Sequence, residues 1–113
     1  MELRDSGNTV FVVDDDAAVC DALGMLLRAA GMKVETFSSA ASFLKELRAG
    51  QTGCLVLDIR MPGMSGLDLQ DELHRRKISI PIVFLTGHGD VPMAVRALKK
   101  GAVDFIEKPH EAE

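Results

Sequence analysis

The alternation of two sequence patterns constrains the fold of this chain more than any other feature. Short runs of apolar and β-branched residues recur five times in 113 residues, at positions 9–13, 33–37, 53–57, 82–85 and 102–106. Between them lie amphipathic segments, in which apolar residues stand three and four positions apart. Strands that alternate with helices form parallel sheets, because each helix returns the chain to the end where the next strand begins. We therefore predict a five-stranded, doubly wound α/β domain.

Helix-capping signals place the four helices between the strands. The first helix is predicted to begin after Asp16, a good N-cap residue, and the second to span residues 39–48. The third begins where Ser65 and Asp68 form a capping-box pair, and the fourth follows Asp90. Each strand thus has a helix to carry the chain to the next one, as the doubly wound fold requires.

Charge, hydropathy and cysteine content exclude several functional classes. The net charge is −4 and there is no basic run, so we predict that this domain does not itself bind nucleic acid. No apolar stretch reaches the roughly 20 residues of a membrane span, and no nucleotide-binding glycine motif is present. Cys20 and Cys54 lack metal-ligand spacing, and we interpret them as reduced core residues of a cytoplasmic domain.

Polar residues collect where the predicted strands end. The stretch VFVVDDD runs from the first strand into Asp14 and Asp15, the third strand runs into Asp58, the fourth into Thr86 and the fifth into Lys108. The carboxyl ends of parallel strands share one edge of the sheet. Clustered carboxylates favour a hard cation such as Mg²⁺ or Mn²⁺, which would offset their mutual repulsion. A carboxylate so balanced can attack phosphorus, with the lysine and the hydroxyl binding the remaining phosphoryl oxygens.

Taken singly, these residues have simpler interpretations. The aspartates could form a solvated turn that ends in a helix cap, and we assign Asp16 to that cap. Asp58 alone could end a strand in a turn, and Thr86 could be an ordinary β-forming residue. Lys108 alone would be a solvated side chain. Only their joint position at one sheet edge favours the metal and phosphoryl site.

Four motifs together resemble the receiver domain of two-component response regulators, and the FixJ-type subfamily in particular. They are VVDDD, VLDIRMPGMSGLDL, FLTGHGD and GAVDFIEKP, and the resemblance covers residues 9–109 in order. The resemblance implies a flavodoxin-like sheet with strand order 2-1-3-4-5 and a single receiver domain over residues 1–113. It also implies that a sensor histidine kinase supplies a phosphoryl group.

The resemblance assigns roles to the residues of the acidic edge. Asp58 matches the phosphoacceptor, and Asp14 and Asp15 match the acidic pair that holds the metal together with Asp58. The backbone carbonyl of Arg60 falls where receiver domains supply a further metal ligand.

The resemblance also implies a switch. Lys108 matches the phosphate-binding lysine, Thr86 the switch hydroxyl and Phe105 the aromatic switch position. Phosphorylation would change the surface of the fourth helix and fifth strand. That change would control an output, such as transcription through a separate DNA-binding domain outside this chain, with a homodimer as a possible form. The domain would catalyse only its own phosphorylation and dephosphorylation, so we predict that it is not an enzyme in the usual sense.

The chain departs from the family pattern at its end. His110 stands where relatives often carry phenylalanine, and the sequence stops at Glu113, where a fifth helix would begin. We therefore predict a missing or truncated fifth helix. The sheet face shared with the first helix should then expose apolar side chains from the third and fifth strands, such as Val56 and Phe105 or their neighbours. Such a chain should self-associate, or be less stable than one longer by about 12 residues.

Two other functional classes compete with the receiver interpretation. A small Mg²⁺-dependent phosphatase would use the same nucleophile, but it would usually have an Asp-x-Asp pair at one strand end and a covering segment. An interaction module that keeps only the fold would not need the complete set of active-site residues. Both are less consistent with the sequence than a phosphoacceptor domain.

Overall fold

The structure is a computed structural model that describes residues 9–48, 50–87 and 89–108. The observations below concern these ranges. The predictions made for His110 and for a fifth helix fall outside them.

The strands and helices alternate as predicted. The strands are β1 Thr9–Val13, β2 Lys33–Phe37, β3 Cys54–Asp58, β4 Ile82–Thr86 and β5 Asp104–Glu107. The helices are α1 Ala17–Ala29, α2 Ala40–Glu46, α3 Gly66–Arg75 and α4 Val91–Lys99. All pairings are parallel and the sheet order is β2-β1-β3-β4-β5, which confirms the predicted fold. Within the described ranges, no helix combines the length and the apolar character of a membrane span.

Two element boundaries differ by two residues from the sequence prediction, and several others differ by one. Helix α2 ends at Glu46 rather than at residue 48, because Leu47 already has an extended backbone with ψ of 133°. Strand β5 begins two residues later than predicted. The N–H of Ala102 still donates to the α4 carbonyl of Ala97, at 3.0 Å, so the segment after α4 completes the helix end before it pairs with β4.

Side-chain caps begin three helices and are absent at the fourth. Asp16 caps α1 by accepting from the Ala18 N–H at 2.9 Å, as predicted. Ser65 and Asp68 form the predicted capping box at α3. Ser39 caps α2 by accepting from the Ser42 N–H at 3.0 Å. Asp90 occupies the N-cap position of α4 but makes no capping hydrogen bond.

The two faces of the sheet carry separate apolar clusters. We call the face covered by α2, α3 and α4 the three-helix face; its buried cluster includes Phe11, Phe43, Leu57, Leu69, Phe84 and Ala94. We call the face covered by α1 the one-helix face; its buried cluster consists of Val10, Val12, Cys20 and Val34. The core thus lies mainly between the sheet and α2–α4.

Of the two side chains named for the exposed face, one lies on that face and the other does not. Val56 packs against the one-helix cluster, as predicted. Phe105 packs instead against the three-helix cluster, because it is paired with Phe84 on β4 and shares its face. The alternation along β5 places Ile106 on the one-helix face, where it is 56% exposed.

Candidate functional site

The carboxyl edge of the sheet gathers the predicted acidic residues. Asp14 and Asp15 follow β1, and Asp58 is the last residue of β3. One carboxylate oxygen from each of the three lies within 4.8 Å of one from each of the others. We call these three residues the acidic pocket. Asp14 and Asp58 are buried, whereas Asp15 is exposed, so the pocket opens to solvent on the Asp15 side.

The position of Asp14 is fixed by hydrogen bonds on every side. Its backbone N–H donates to the Phe37 carbonyl at 3.1 Å, which extends the pairing of β1 with β2. Its Oδ1 accepts from the Asp16 N–H at 2.9 Å, and its carbonyl accepts from the Cys20 thiol at 3.3 Å. Cys20 was predicted only as a core residue, and its contact with the pocket backbone was missed. These hydrogen bonds hold Asp14 in place, and its side chain is fully buried.

Lys108 supplies the positive charge at this edge. Its Nζ lies 2.9 Å from Oδ2 of Asp14 and 3.3 Å from Oδ1 of Asp58. Its backbone N–H donates to the Thr86 carbonyl at 2.8 Å, so β4 holds the lysine in place. One ammonium group thus bridges two buried carboxylates.

Burial and charge shift the pKa values of the pocket. Burial, followed by the negative charge of Asp14, raises the pKa of Asp58 from 3.8 to about 7, and Lys108 offsets only part of this rise. For Lys108, burial lowers the pKa, but the hydrogen bond with Asp14 and the charges of both carboxylates outweigh it and raise the pKa above its ordinary value. Without a further cation, the pocket has more negative charge than Lys108 can balance.

The oxygen set of the pocket suits a small divalent cation. Mg²⁺ binds oxygen ligands at roughly 2.0–2.1 Å in octahedral geometry, so its ligands lie about 3–4 Å apart. The carboxylate oxygens of Asp14, Asp15 and Asp58 have spacings compatible with this arrangement after small side-chain adjustments. The backbone N–H of Arg60 donates to Oδ1 of Asp58 over a long 3.4 Å, which keeps the loop after β3 close to the pocket.

The two predicted switch residues lie on β4 and β5. Thr86 ends β4 and is fully buried, and its Oγ1 has no hydrogen-bond partner within the described part of the chain. Phe105 is half-buried on β5 and packs against the three-helix cluster. Both residues therefore face the side of the sheet that carries α4.

One ion pair near the pocket was not predicted. The side chain of Arg60 pairs with the start of α4, where its Nε lies 2.7 Å from Oδ1 of Asp90. The sequence held a signal for this contact, since Pro92 occupies the N2 position of α4 and has no N–H for Asp90 to cap. Arg60, in the loop between β3 and α3, binds the Asp90 carboxylate instead.

Comparisons with known proteins agree with this architecture. The chain is 50% identical over 111 residues to the response regulator protein TodT of Pseudomonas putida, covering 98% of this chain and 49% of TodT. It is 49% identical over 102 residues to the transcriptional regulatory protein FixJ of Bradyrhizobium diazoefficiens, covering 90% of this chain and 50% of FixJ. The chain thus spans about half the length of the curated relatives that it matches.

Solved structures match the fold as well. The response regulator StyR superposes with a TM-score of 0.84 and 59% identity, covering 91% of this chain and 52% of StyR. The FixJ-N structure superposes with a TM-score of 0.83 and 50% identity, covering 91% of this chain and 82% of FixJ-N. The family described as the response regulator receiver domain matches residues 10–113. From the sheet order, the acidic edge and these matches, we conclude that the chain belongs to the receiver domain family of two-component response regulators.

Proposed function

We propose that this domain accepts a phosphoryl group on Asp58 from the phosphohistidine of a sensor histidine kinase. The observation that carries the proposal is the meeting of three carboxylates and one lysine at a single sheet edge, with Lys108 in contact with both Asp14 and Asp58. A cluster of this kind serves no evident packing purpose, because burying like charges together costs free energy. The arrangement suits a site that receives a cation and a phosphoryl group.

The residues divide the chemistry among them. A carboxylate oxygen of Asp58 attacks the phosphorus atom, so that a P–O bond forms while the P–N bond of the phosphohistidine breaks and the kinase imidazole takes up a proton. Lys108 is placed to donate to an oxygen of the transferred group. Asp14, Asp15, Asp58 and the backbone carbonyl of Arg60 would hold Mg²⁺ or Mn²⁺, which supplies positive charge against the carboxylates and the phosphoryl oxygens.

The switch is assigned to Thr86 and Phe105. Thr86 Oγ1 is a buried hydroxyl oxygen without a partner in the described ranges, which supports its use as a donor to a phosphoryl oxygen. A movement of Thr86 leaves space on the three-helix face, into which Phe105 turns. The surface formed by α4 and β5 then differs between the two states.

The output lies outside the structure described. The relatives are called response regulator and transcriptional regulatory proteins, and they are about twice as long as the matched region. We infer that residues 1–113 form one receiver domain that works in the cytoplasm. It would control transcription through a DNA-binding domain in a longer chain, and the α4–β5 surface could support a homodimer. The receiver would neither touch nucleic acid nor act as an enzyme beyond its own phosphorylation and dephosphorylation.

The proposal is tested by incubating the protein with acetyl phosphate and MgCl₂ and measuring the intact mass. We expect one added phosphoryl group that survives acid and is removed by base, as an acyl phosphate should be. Asp58→Asn keeps the size of the side chain but removes the nucleophile, so it should gain none. An excess of EDTA should prevent labelling of the parent protein. Equal labelling of the Asn variant would disprove the assignment of Asp58.

A further inference from the structure

The start of α4 differs from the starts of the other described helices. Asp90 stands at its N-cap position with φ of −97° and ψ of 11°, outside the extended conformation that N-cap residues usually adopt. Its carboxylate is buried and caps nothing. Because Pro92 removes the N2 donor, only the Met93 N–H remains for a normal cap at this end. The carboxylate is therefore available for a different contact.

That contact joins two loops of the carboxyl edge. Oδ1 of Asp90 accepts from Nε of Arg60 at 2.7 Å. On its other side, the backbone N–H of Asp90 donates to the Gly87 carbonyl at 3.1 Å, and a Cβ placed on Gly87 would lie 3.4 Å from Oδ2 of Asp90. Asp90 thus touches the loop that follows the phosphoacceptor strand and also the turn that follows Thr86.

Arg60 connects this contact to the acidic pocket. It lies two residues after Asp58, and its backbone N–H donates to the Asp58 carboxylate at 3.4 Å. Its side chain is 67% exposed, whereas the Asp90 side chain is 9% exposed. The arginine side chain can therefore leave the contact for solvent more easily than the carboxylate can, so a displacement of the Arg60 peptide changes what the Asp90 carboxylate bonds to.

The opposite end of α4 is held by a different kind of bond. The amide of Gln70 on α3 is fully buried, and its Nε2 donates to the Ala97 carbonyl at 3.1 Å. Breaking this bond would leave a buried amide without its acceptor, which is costly. The Arg60–Asp90 pair differs in that it ties α4 to a loop of the carboxyl edge rather than to another helix, and its arginine side chain is 67% exposed. The N-terminal end of α4 is thus the end whose attachment depends on the loop after the phosphoacceptor strand.

We propose that Asp90 is a positioning residue that transmits the state of the acidic pocket to the first turn of α4 through Arg60. This inference rests on the proposed function, since the event that it transmits is the loading of Asp58. Loading the pocket displaces the Arg60 peptide, the ion pair to Asp90 loosens, and the first turn of α4 responds. The route is separate from that of Thr86 and Phe105, because it passes through the loop after β3 and not through the sheet.

The test follows backbone amide signals by NMR while Mg²⁺ and beryllium fluoride, a mimic of the phosphoryl group, are added. The shift of the Met93 and Ala94 signals is divided by the shift of the Asp15 signal, which reports occupancy of the pocket. In Asp90→Asn, which keeps the shape but loses the charge, this ratio should fall by about threefold or more. An unchanged ratio overturns the proposal.

A matched control removes a charge pair at the other end of α4. Asp71→Asn breaks the exposed contact between Lys100 Nζ and Asp71 Oδ1, which is 3.0 Å long. It makes the same chemical change as Asp90→Asn without touching the loop after β3. The ratio should keep its parent value in this variant, and a fall equal to that of Asp90→Asn would show a general charge effect and overturn the proposal.

A measurement without ligand separates this inference from the proposed function. If beryllium fluoride moves no pocket signal in the parent protein, phosphoryl acceptance on Asp58 fails as a function. The connection from Arg60 through Asp90 to α4 is then tested without ligand, by comparing the amide signals of Arg60→Gln, Asp90→Asn and the double variant. The two single changes should shift the Met93 and Ala94 signals alike, and the double variant should add nothing further. If Arg60→Gln leaves these signals at their parent positions, no link exists.

Discussion

The two faces of the sheet differ in how fully they are covered. On the three-helix face, large side chains such as Phe43, Leu69 and Phe84 are at most 1% exposed. On the one-helix face, the cluster is smaller and Ile106 remains 56% exposed. The comparison teaches that the folding free energy is concentrated under α2, α3 and α4, on the face that also holds Thr86.

The two faces also differ in the functional residue that lies at the carboxyl end of their strands. Side chains alternate along a strand, so the row of β3 that contains Val56 ends at Asp58. The row of β4 that contains Phe84 ends at Thr86. The one-helix face therefore ends in the proposed phosphoacceptor, and the three-helix face ends in the proposed switch hydroxyl. Three experiments would break or sharpen this comparison.

The largest expected effect comes from the same truncation made on each face. Leu69→Ala removes a fully buried side chain on α3, and we expect a loss of about 3–5 kcal/mol of unfolding free energy. Leu23→Ala makes the same change on α1, where the side chain is only partly buried, and should cost about 1 kcal/mol. Urea unfolding measures both. Equal losses would show that the one-helix face is packed as tightly as the other.

The second largest effect on the unfolding free energy is expected from the Asp58 carboxylate, at the end of the one-helix face. In the folded domain, the pKa of Asp58 is raised from 3.8 to about 7, so the native state binds the proton more tightly than the unfolded chain does. The stability due to this proton is fully present below about pH 4 and is lost as the pH rises through 7. In metal-free buffer at pH 8, Asp58→Asn should therefore raise the unfolding free energy by about 2–4 kcal/mol.

The pH dependence provides the control for this variant. Below about pH 4 the carboxyl is protonated in both states, so the parent and Asp58→Asn should unfold at nearly the same urea concentration. Added Mg²⁺ should reduce the difference in unfolding free energy between the parent and Asp58→Asn at pH 8. The ion binds the pocket only in the folded state, and the parent keeps the Asp58 carboxylate as a ligand. A variant that is less stable than the parent at pH 8 without metal would contradict the raised pKa.

The smallest expected effect on stability comes from the exposed part of the one-helix face. The predicted self-association should use Ile106, so Ile106→Thr should weaken it while changing the unfolding free energy by no more than about 0.5 kcal/mol. Val103→Thr, at a side chain that is 63% exposed just before β5, is the matched control. Sedimentation over a range of protein concentrations distinguishes them. A monomeric parent, or equal effects of the two changes, would remove Ile106 from the contact.

Much of this arrangement could be predicted from the sequence because it depends on local patterns and on one topological rule. Apolar runs and capping residues such as Asp16 and Ser65 fix the elements, and parallel strands bring Asp58 and Lys108 to one edge. The face of Phe105 could not be fixed in this way, because a one-residue error in register moves a side chain to the other face of a sheet. The Arg60–Asp90 pair joins residues 30 positions apart through two loops, and loop geometry follows from tertiary packing.

The buried hydrogen bond from Gln70 to the Ala97 carbonyl would act as the pivot of α4 when its first turn responds as proposed. A nine-residue helix is about 13 Å long at 1.5 Å per residue. A tilt of about 10° around the anchored end would therefore carry the far end through roughly 2 Å and leave the last turn almost in place. Val91, near the moving end, is 45% exposed and Val95, at mid-length, is 40% exposed. A partner protein that binds α4 at Val91 would meet a surface displaced by the full amount of the tilt. A partner bound near Lys99 would meet a surface that has hardly moved.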